Sequence, residues 1–298
     1  VNGLSEYGFL PSGSTRLALL LGDPVGHSLS PTLMTAAMRD GGLDMVYVAV
    51  RVDAAHIGAA IHGLQAMHVV GANVTIPHKQ AVIPYLDHLT AAARAIGAVN
   101  TIYFGDDGRL SGDNTDAAGF TAPISGLAPA AALVLGTGGA ARAAAWALGH
   151  ELGAGHVFVC GRRHERARQL AGEINVQCPK GVHVEALPWE KRAQRAGEVD
   201  LIVNATSVGM HPRADDTPLP DTSHVSSRQL VYDLVYKPHP TRLLREAAGR
   251  GARTLGGLDM LIGQAAASFR RWTGQDMDES AARRALTGLN TSSAQSSP

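Results

Sequence analysis

Apolar positions along the chain change period repeatedly, and each change marks the border of a predicted element. Contiguous apolar runs at Leu17–Gly22, Met45–Val52, Val69–Thr75 and Ala98–Phe104 read as strands. Pro31–Asp40 and Ala54–Met67 carry the wider spacing of helices. Ser30–Pro31 reads as a helix start, with Ser as N-cap and Pro at the first helical position, and Gly41–Gly42 as its end. A second alternation opens near Gly119. Ala131–Leu135, Val157–Cys160, Val182–Leu187, Leu201–Asn204 and Leu230–Val235 are its strands, and Gly139–Leu152, Glu165–Ile174 and Thr241–Gly249 its helices. The Pro-rich stretch His211–Pro220 reads as a surface loop. Strand and helix in turn predict an α/β protein with mostly parallel sheets.

A length of 298 residues fits two domains at about 100–200 residues each. Two further helices, about Asp259–Thr273 and Asp278–Gly288, exceed what the second sheet needs. They are expected to return to the first domain. The predicted organisation is therefore a discontinuous α/β substrate domain, residues 1–117 with helices in 257–298, around a Rossmann-type nucleotide domain in 118–256. In the first of these helices Leu261, Ala265 and Phe269 recur every four residues as a core stripe, with Ile262 and Ala266 beside it. Met260 and Gln264 share a neighbouring face, which is either solvated or closes a pocket.

Composition narrows the function classes. Lys plus Arg and Asp plus Glu balance at 26 each. A neutral chain has no field to gather nucleic acid or anionic membrane, so neither is an expected partner. The two cysteines, Cys160 and Cys178, form no CxxC pair, which fits a reducing cytoplasm. Cys160 is expected to pack at a buried strand end as a small hydrophobe. No run approaches ~18 apolar residues, and the first 14 residues lack the basic start and apolar run of a signal peptide. These residues read as a loose terminus, as does the Ser-rich tail from Thr291. The 13 histidines include no HExxH, and no metal site is expected. His78 reads either as a site residue or as a surface residue.

Leu133–Leu135 runs into Gly136-Thr-Gly138-Gly139-Ala-Ala141 and an Ala-rich helix. Gly136 permits a tight turn, Gly138 a close backbone approach to a pyrophosphate, and Ala141 close helix–strand packing. The helix N-terminus then offers unpaired N–H groups and a positive dipole to phosphate. At the end of the next strand an acid would hold the ribose 2′-OH of NAD, whereas arginine accommodates the 2′-phosphate of NADP. The sequence has Cys160-Gly-Arg162-Arg163-His, which favours NADP, although the nearby Glu165 leaves NAD possible.

Hydride transfer to a ketone leaves an alkoxide that needs a proton, and a lysine ammonium steadied by a carboxylate can supply it. Asn73-Val-Thr75-Ile-Pro77-His-Lys79 lies past a strand end, and Gly112-Asp-Asn114-Thr-Asp116 precedes the second domain. Spacing alone leaves Lys79 open as a surface charge and the acidic run as turn chemistry.

Six collinear segments remove that ambiguity. Pro24-Val-Gly-His-Ser28-Leu-Ser30-Pro31, Asn73–Lys79, Gly97-Ala-Val-Asn100-Thr101, Asn114-Thr-Asp116, Asn204-Ala-Thr-Ser-Val-Gly-Met210 and Gly257-Leu-Asp-Met-Leu-Ile-Gly-Gln264 together resemble the shikimate dehydrogenase family from about Leu17 to Gly288. The resemblance implies NADP-dependent interconversion of 3-dehydroshikimate and shikimate, on the route to aromatic amino acids. It implies Lys79 and Asp116 as the catalytic pair and Ser28, Ser30, Asn73, Thr75, Asn100, Tyr236 and Gln264 as substrate contacts. It also implies cofactor contacts at Gly136, Gly138, Gly139, Ala140, Arg162, Arg163, Thr206, Met210 and Gly257. Short hydroxyls at a helix start independently suit an anion, and amides match ring hydroxyls as donors and acceptors; helix capping is the plainer role for Ser28 and Ser30.

The chain departs from the family pattern at Met34 and Thr35, at Ala117–Ala118, and at Gly161 and Arg163. Quinate and aminoshikimate enzymes share the framework, so the substrate within this class stays open, as does the choice between monomer and homodimer. Two readings compete. A non-catalytic ligand sensor on the same fold is opposed by the presence of both Lys79 and Asp116. A methylene-tetrahydrofolate-type dehydrogenase is opposed by the serine pair.

Overall fold

The computed structural model describes residues 11–293, together with the two-residue strands β1 (Leu4–Ser5) and β2 (Gly8–Phe9), which pair antiparallel. The expected loose amino terminus falls largely outside the described residues. So does the end of the Ser-rich tail, although Thr291–Ser293 continue the last helix. In chain order follow β3 (Arg16–Gly22), α1 (Ser30–Asp40), β4 (Met45–Arg51), α2 (Ile57–Ala66), β5 (Gly71–Val74), β6 (His88–Leu89), α3 (Ala91–Ile96), β7 (Thr101–Phe104), β8 (Leu110–Asp113) and α4 (Thr115–Thr121). Then come β9 (Ala131–Leu135), α5 (Gly139–His150), β10 (His156–Cys160), α6 (His164–Asn175), β11 (His183–Leu187), α7 (Arg192–Ala196), β12 (Leu201–Asn204), β13 (Leu230–Asp233), α8 (Arg242–Gly249), β14 (Arg253–Gly256), α9 (Leu258–Thr273) and α10 (Glu279–Ser293).

These elements form two units. The first comprises residues 1–90, 99–113 and 265–298, the second 91–98 and 114–264. The borders thus fall at 113/114 and inside α9 rather than after residues 117 and 256. The segment carrying α3 belongs to the second unit.

In the first unit six strands run in the order β4-β3-β5-β7-β8-β6. β3 is parallel to β4 and β5, β7 is antiparallel to β5 and β8, and β6 is parallel to β8. Leu19, Leu20 and Leu21 of β3 are buried, as suits a strand covered on both faces. The Pro31-led α1 buries Leu33, Met34, Ala37 and Met38 and packs on β4 and α10. Its capping differs from the sequence expectation. Ser30 is already helical, the N-cap position is Leu29 with no side-chain cap, and the Ser28 hydroxyl accepts the Ser30 N–H at 3.2 Å. The Ser28 hydroxyl, two residues before the expected cap, thus takes the N–H of the first helical residue.

In the second unit all six strands are parallel, in the order β11-β10-β9-β12-β13-β14. This is the doubly wound order in which the chain starts centrally, moves to one edge, and crosses back to build the other. Eight of the twelve residues of α5 are Gly or Ala, and the helix is buried from Ala141 to Gly149. Alanine costs no side-chain entropy and lets the helix lie close to the sheet on one side and to α4 on the other. β14, a four-residue edge strand without an apolar run to predict it, completes the sheet. α9 buries Met260, Ile262, Ala265, Ser268 and Phe269, with Leu261 only half-buried, so its core stripe is rotated from the one expected. Among the described residues no helix is long and apolar enough to cross a membrane, and no group of His, Cys, Asp and Glu side chains is placed to hold a metal ion.

Candidate active site

The second unit presents a nucleotide platform where its strand order reverses, between β9 and β12. In open α/β sheets the crevice outside the carboxyl ends at that point receives ligands. Gly136 leaves β9 with φ 125°, and an added Cβ would lie 2.7 Å from the Ala205 carbonyl oxygen beyond β12. Only glycine fits there. Gly138 is the extended N-cap of α5, with open space where a Cβ would project and no side-chain cap. Gly139 and Ala140 open the helix, whose first turn carries no acidic residue. Its early N–H groups therefore face outward without a competing anion, which fits a pyrophosphate.

β10 lies beside β9, and Gly161, Arg162 and Arg163 follow it at the same sheet edge. Both arginines are exposed, and Glu165 is exposed in the first turn of α6. A Cβ on Gly161 would press on Thr137 Cγ2 at 2.6 Å, so the departure to glycine at 161 makes room for Thr137 of the phosphate turn.

Across the switch point, Thr206 donates its N–H and its hydroxyl to Asn204 Oδ1 at 3.0 and 2.7 Å. Met210 is exposed in the same loop. Tyr236 is half-buried just past β13. Gly257 joins β14 to α9 so tightly that an added Cβ would overlap the Leu234 carbonyl. Asp116 is buried in the first turn of α4, whose N-cap is Asn114: the Asn114 side chain accepts from Ala117 N at 3.3 Å and donates to Ala98 O at 2.9 Å. One turn beyond Asp116, Gly119 would place a Cβ 2.6 Å from both Gln264 N and Met260 O, so two helix backbones touch there. The half-buried Gln264 donates to the Leu261 carbonyl at 2.9 Å.

The first unit gathers a second set of polar groups at the carboxyl ends of β3 and β5. Ser28 and Ser30 follow β3, while Thr75 and Lys79 follow β5; Ser30 is buried and the other three are half-buried. Thr75 N donates to Leu21 O at 2.9 Å and Asp23 N to Ile76 O at 2.9 Å, so the two loops are stitched together. Val99 N donates to the Lys79 carbonyl at 2.7 Å, and Val74 N to the Asn100 carbonyl at 2.8 Å, which brings Asn100 to the same edge. Ser28, Ser30, Thr75, Lys79 and Asn100 thus share one rim.

Asn73 lies beneath that rim. Its Oδ1 accepts from the Tyr47 hydroxyl at 2.8 Å, and its Nδ2 donates toward Ser268 Oγ at 2.9 Å and toward Asn100 O and Thr101 Oγ1 at 3.1 Å. Burial pushes the Tyr47 phenol well above its ordinary range, so its proton stays in this network. His78 is not a surface residue. It is fully buried and its Nε2–H donates to the Val52 carbonyl at 2.6 Å, pinning the loop that carries Lys79. The two acids of the 112–116 run separate. Asp113 accepts from Thr90 Oγ1 at 2.7 Å and pairs with Arg271 at 2.5 Å, a structural anchor in the first unit, whereas Asp116 belongs to the second.

Three family models match the chain in order: the shikimate dehydrogenase substrate binding domain over residues 20–102, shikimate/quinate 5-dehydrogenase over 121–232, and the shikimate 5′-dehydrogenase C-terminal domain over 257–287. A shikimate dehydrogenase (NADP(+)) of Salinibacter ruber is 45% identical over 279 residues, 92% of this chain and 97% of the relative. The chain belongs to the shikimate dehydrogenase family. A crystal structure of a shikimate dehydrogenase in complex with NADP+ superposes with a TM-score of 0.87 at 35% identity, covering 96% of this chain and 99% of that one. The Thermus thermophilus shikimate 5-dehydrogenase in complex with NADP(H) and shikimate is 40% identical, with a TM-score of 0.78 over 91% of this chain and 100% of its own.

Sequence reasoning missed four groups that the structure places under these sites: Tyr47, Arg142, Asp233 and Ser268. Arg142 is buried on α5, donates Nε to the Ile96 carbonyl at 2.6 Å and pairs with Glu173 at 2.5 Å. A basic residue within an otherwise apolar helix run was the available signal for it.

Proposed function

We propose that this protein interconverts 3-dehydroshikimate and shikimate with NADP(H) in the cytoplasm, as a monomer or homodimer. The carrying observation is the rim of the first unit, where a lysine, two serines, a threonine and an asparagine converge at the ends of two parallel strands. That set suits a small acid bearing hydroxyls and a ketone. The Ser28 and Ser30 hydroxyls donate to the carboxylate, while Thr75, Asn100, Tyr236 and Gln264 exchange hydrogen bonds with ring hydroxyls. Asn73 supports the shell by fastening Asn100 from below.

When bound, the nicotinamide supplies or accepts the hydride at the ring carbon. Lys79 polarises the carbonyl and delivers a proton to the oxygen as the alkoxide forms; in the reverse direction its neutral amine takes that proton back. Asp116 is assigned to orient Lys79 and to accept from a ring hydroxyl. The turn at Gly136–Ala140 takes the pyrophosphate, Arg162 and Arg163 the 2′-phosphate, and Thr206, Met210 and Gly257 border the nicotinamide.

The test is a matrix assay of shikimate and quinate against NADP and NAD. Shikimate with NADP is expected to give the highest kcat/KM, by about tenfold or more over each other combination, which corresponds to about 1.4 kcal/mol of transition-state discrimination. A larger value with quinate or NAD reassigns the substrate or cofactor. Binding of both ligands without any change in nicotinamide absorbance would make the chain a sensor and end the enzymatic reading.

A further inference from the structure

Beneath the switch point of the second unit lies a buried polar chain that the mechanism above does not use. Asp233 ends β13 and Asn204 ends β12; the two are direct partners in the parallel register, and neither is exposed. One Asp233 oxygen accepts from Asn204 Nδ2 at 2.8 Å and from Val235 N at 3.0 Å, and the other accepts from Thr241 Oγ1 at 2.6 Å. Asn204 in turn takes up its loop. Its Oδ1 receives the Thr206 N–H and hydroxyl, and its Nδ2 also reaches the Val208 carbonyl at 3.2 Å. Thr206 Oγ1 accepts the Val208 N–H at 3.1 Å.

These bonds fix the Asn204 amide in one orientation. Its oxygen faces two donors, and its nitrogen faces a carboxylate and a carbonyl. We propose that Asp233 is a positioning residue for the dinucleotide: acting through Asn204, it holds residues 206–208 in the conformation that receives the nicotinamide end of the cofactor. The proposal rests on the reading that the chain uses NADP(H). Preorganising a ligand loop removes an ordering cost that would otherwise be subtracted from affinity. A buried carboxylate suits this role because it only accepts, and all three of its partners donate. Burial pushes the Asp233 carboxyl up to about 6, against the hydrogen bonds from Thr241, Val235 and Asn204.

The experiment compares full-length wild type with Asn204→Asp, Asn204→Ala, Asp233→Asn and the exchange Asn204→Asp/Asp233→Asn. Asn204→Asp sets two buried carboxylates face to face. The exchange restores one carboxylate against one amide, with Asp at 204 still accepting from Thr206, but it sets an amide nitrogen against the Val235 N–H and a carboxylate oxygen against the Val208 carbonyl. Asn204→Asp and Asn204→Ala are expected to raise the KM for NADPH about tenfold or more, equivalent to about 1.4 kcal/mol, with the KM for 3-dehydroshikimate within about threefold of wild type. The exchange is expected to recover part of the rise in NADPH KM seen in Asn204→Asp, with the Val235 and Val208 contacts still lost. Asp233→Asn alone is milder, because the Thr241 hydroxyl can turn and accept. A purely structural role would lower melting temperature and active fraction while leaving the NADPH KM in place.

An unchanged NADPH KM in Asn204→Ala, or an exchange variant as impaired as Asn204→Asp, overturns the proposal. Should Asn204→Asp fail to fold, Asn204→Ala and the exchange still decide it. A wild-type chain with no NADPH turnover overturns the underlying reading, an outcome distinct from an active wild type with indifferent variants.

Discussion

Replacing Lys79 by alanine is expected to lower kcat about 10³-fold while leaving the KM values for shikimate and NADP within a few-fold of wild type. A positioned general acid contributes about 10²–10⁴-fold to rate, and here the same ammonium also polarises the carbonyl. A 10³-fold loss corresponds to about 4 kcal/mol of transition-state stabilisation. The loop should keep its course after the truncation, because the backbone at 79 is held independently of its side chain. The Lys79 carbonyl accepts from Val99 N at 2.7 Å, and the adjacent His78 is clamped to the Val52 carbonyl at 2.6 Å. Steady-state rates and unfolding curves, measured on the same preparation, separate the two effects. A variant that folds normally and keeps more than about a tenth of wild-type kcat would remove Lys79 from its role, since it would fall below even the weakest proton-transfer contribution.

What the sequence made legible, and what it hid, divides along physical lines. β9 and β12 were placed to the residue because buried parallel strands are contiguous apolar runs. The phosphate turn was equally clear, because a strand, three small residues at fixed offsets and a helix coincide there. β8 was hidden: its Ser111, Gly112 and Asp113 carry no apolar signal, yet all are buried between neighbouring strands. β14 was hidden for the opposite reason, being short, at an edge and half-exposed.

In the site, the proposed ligand contacts were named from the family resemblance together with their chemistry, whereas the residues beneath them were not named. His78 read either as a site residue or as a surface residue, but it is buried, and one carbonyl just past β4 provides for its N–H. Asn204 stood at the end of one predicted strand and Asp233 inside another, with nothing along the chain to link them. Only the register that sets them opposite each other shows that they form a pair.

Gly257→Ala is expected to be the most damaging single methyl that could be added to the second unit. The Cβ would overlap the carbonyl carbon and oxygen of Leu234 and lie 3.0 Å from its Cα. All three are backbone atoms, so no rotamer change relieves the clash. The β14–α9 junction must instead part from the segment after β13 by about 1 Å to reach an ordinary non-bonded separation. Overpacking of this kind costs about 1–3 kcal/mol, and more where only backbone can yield. A cost of about 3 kcal/mol lowers the melting temperature of a domain this size by about 6–12 °C.

The same displacement reaches function, because Leu234 precedes Tyr236 and Gly257 precedes Met260 and Gln264. The KM for shikimate should therefore rise together with the loss of stability. Gly138→Ala supplies the contrast: nothing lies within 4 Å of its Cβ position, so the melting temperature should fall by only a few degrees, the cost of an alanine N-cap. The KM for NADP should meanwhile rise about tenfold or more, because the methyl projects where the pyrophosphate would approach. If both variants unfolded alike and bound cofactor alike, steric closure at Gly257 and open approach at Gly138 would not be the distinction the chain exploits.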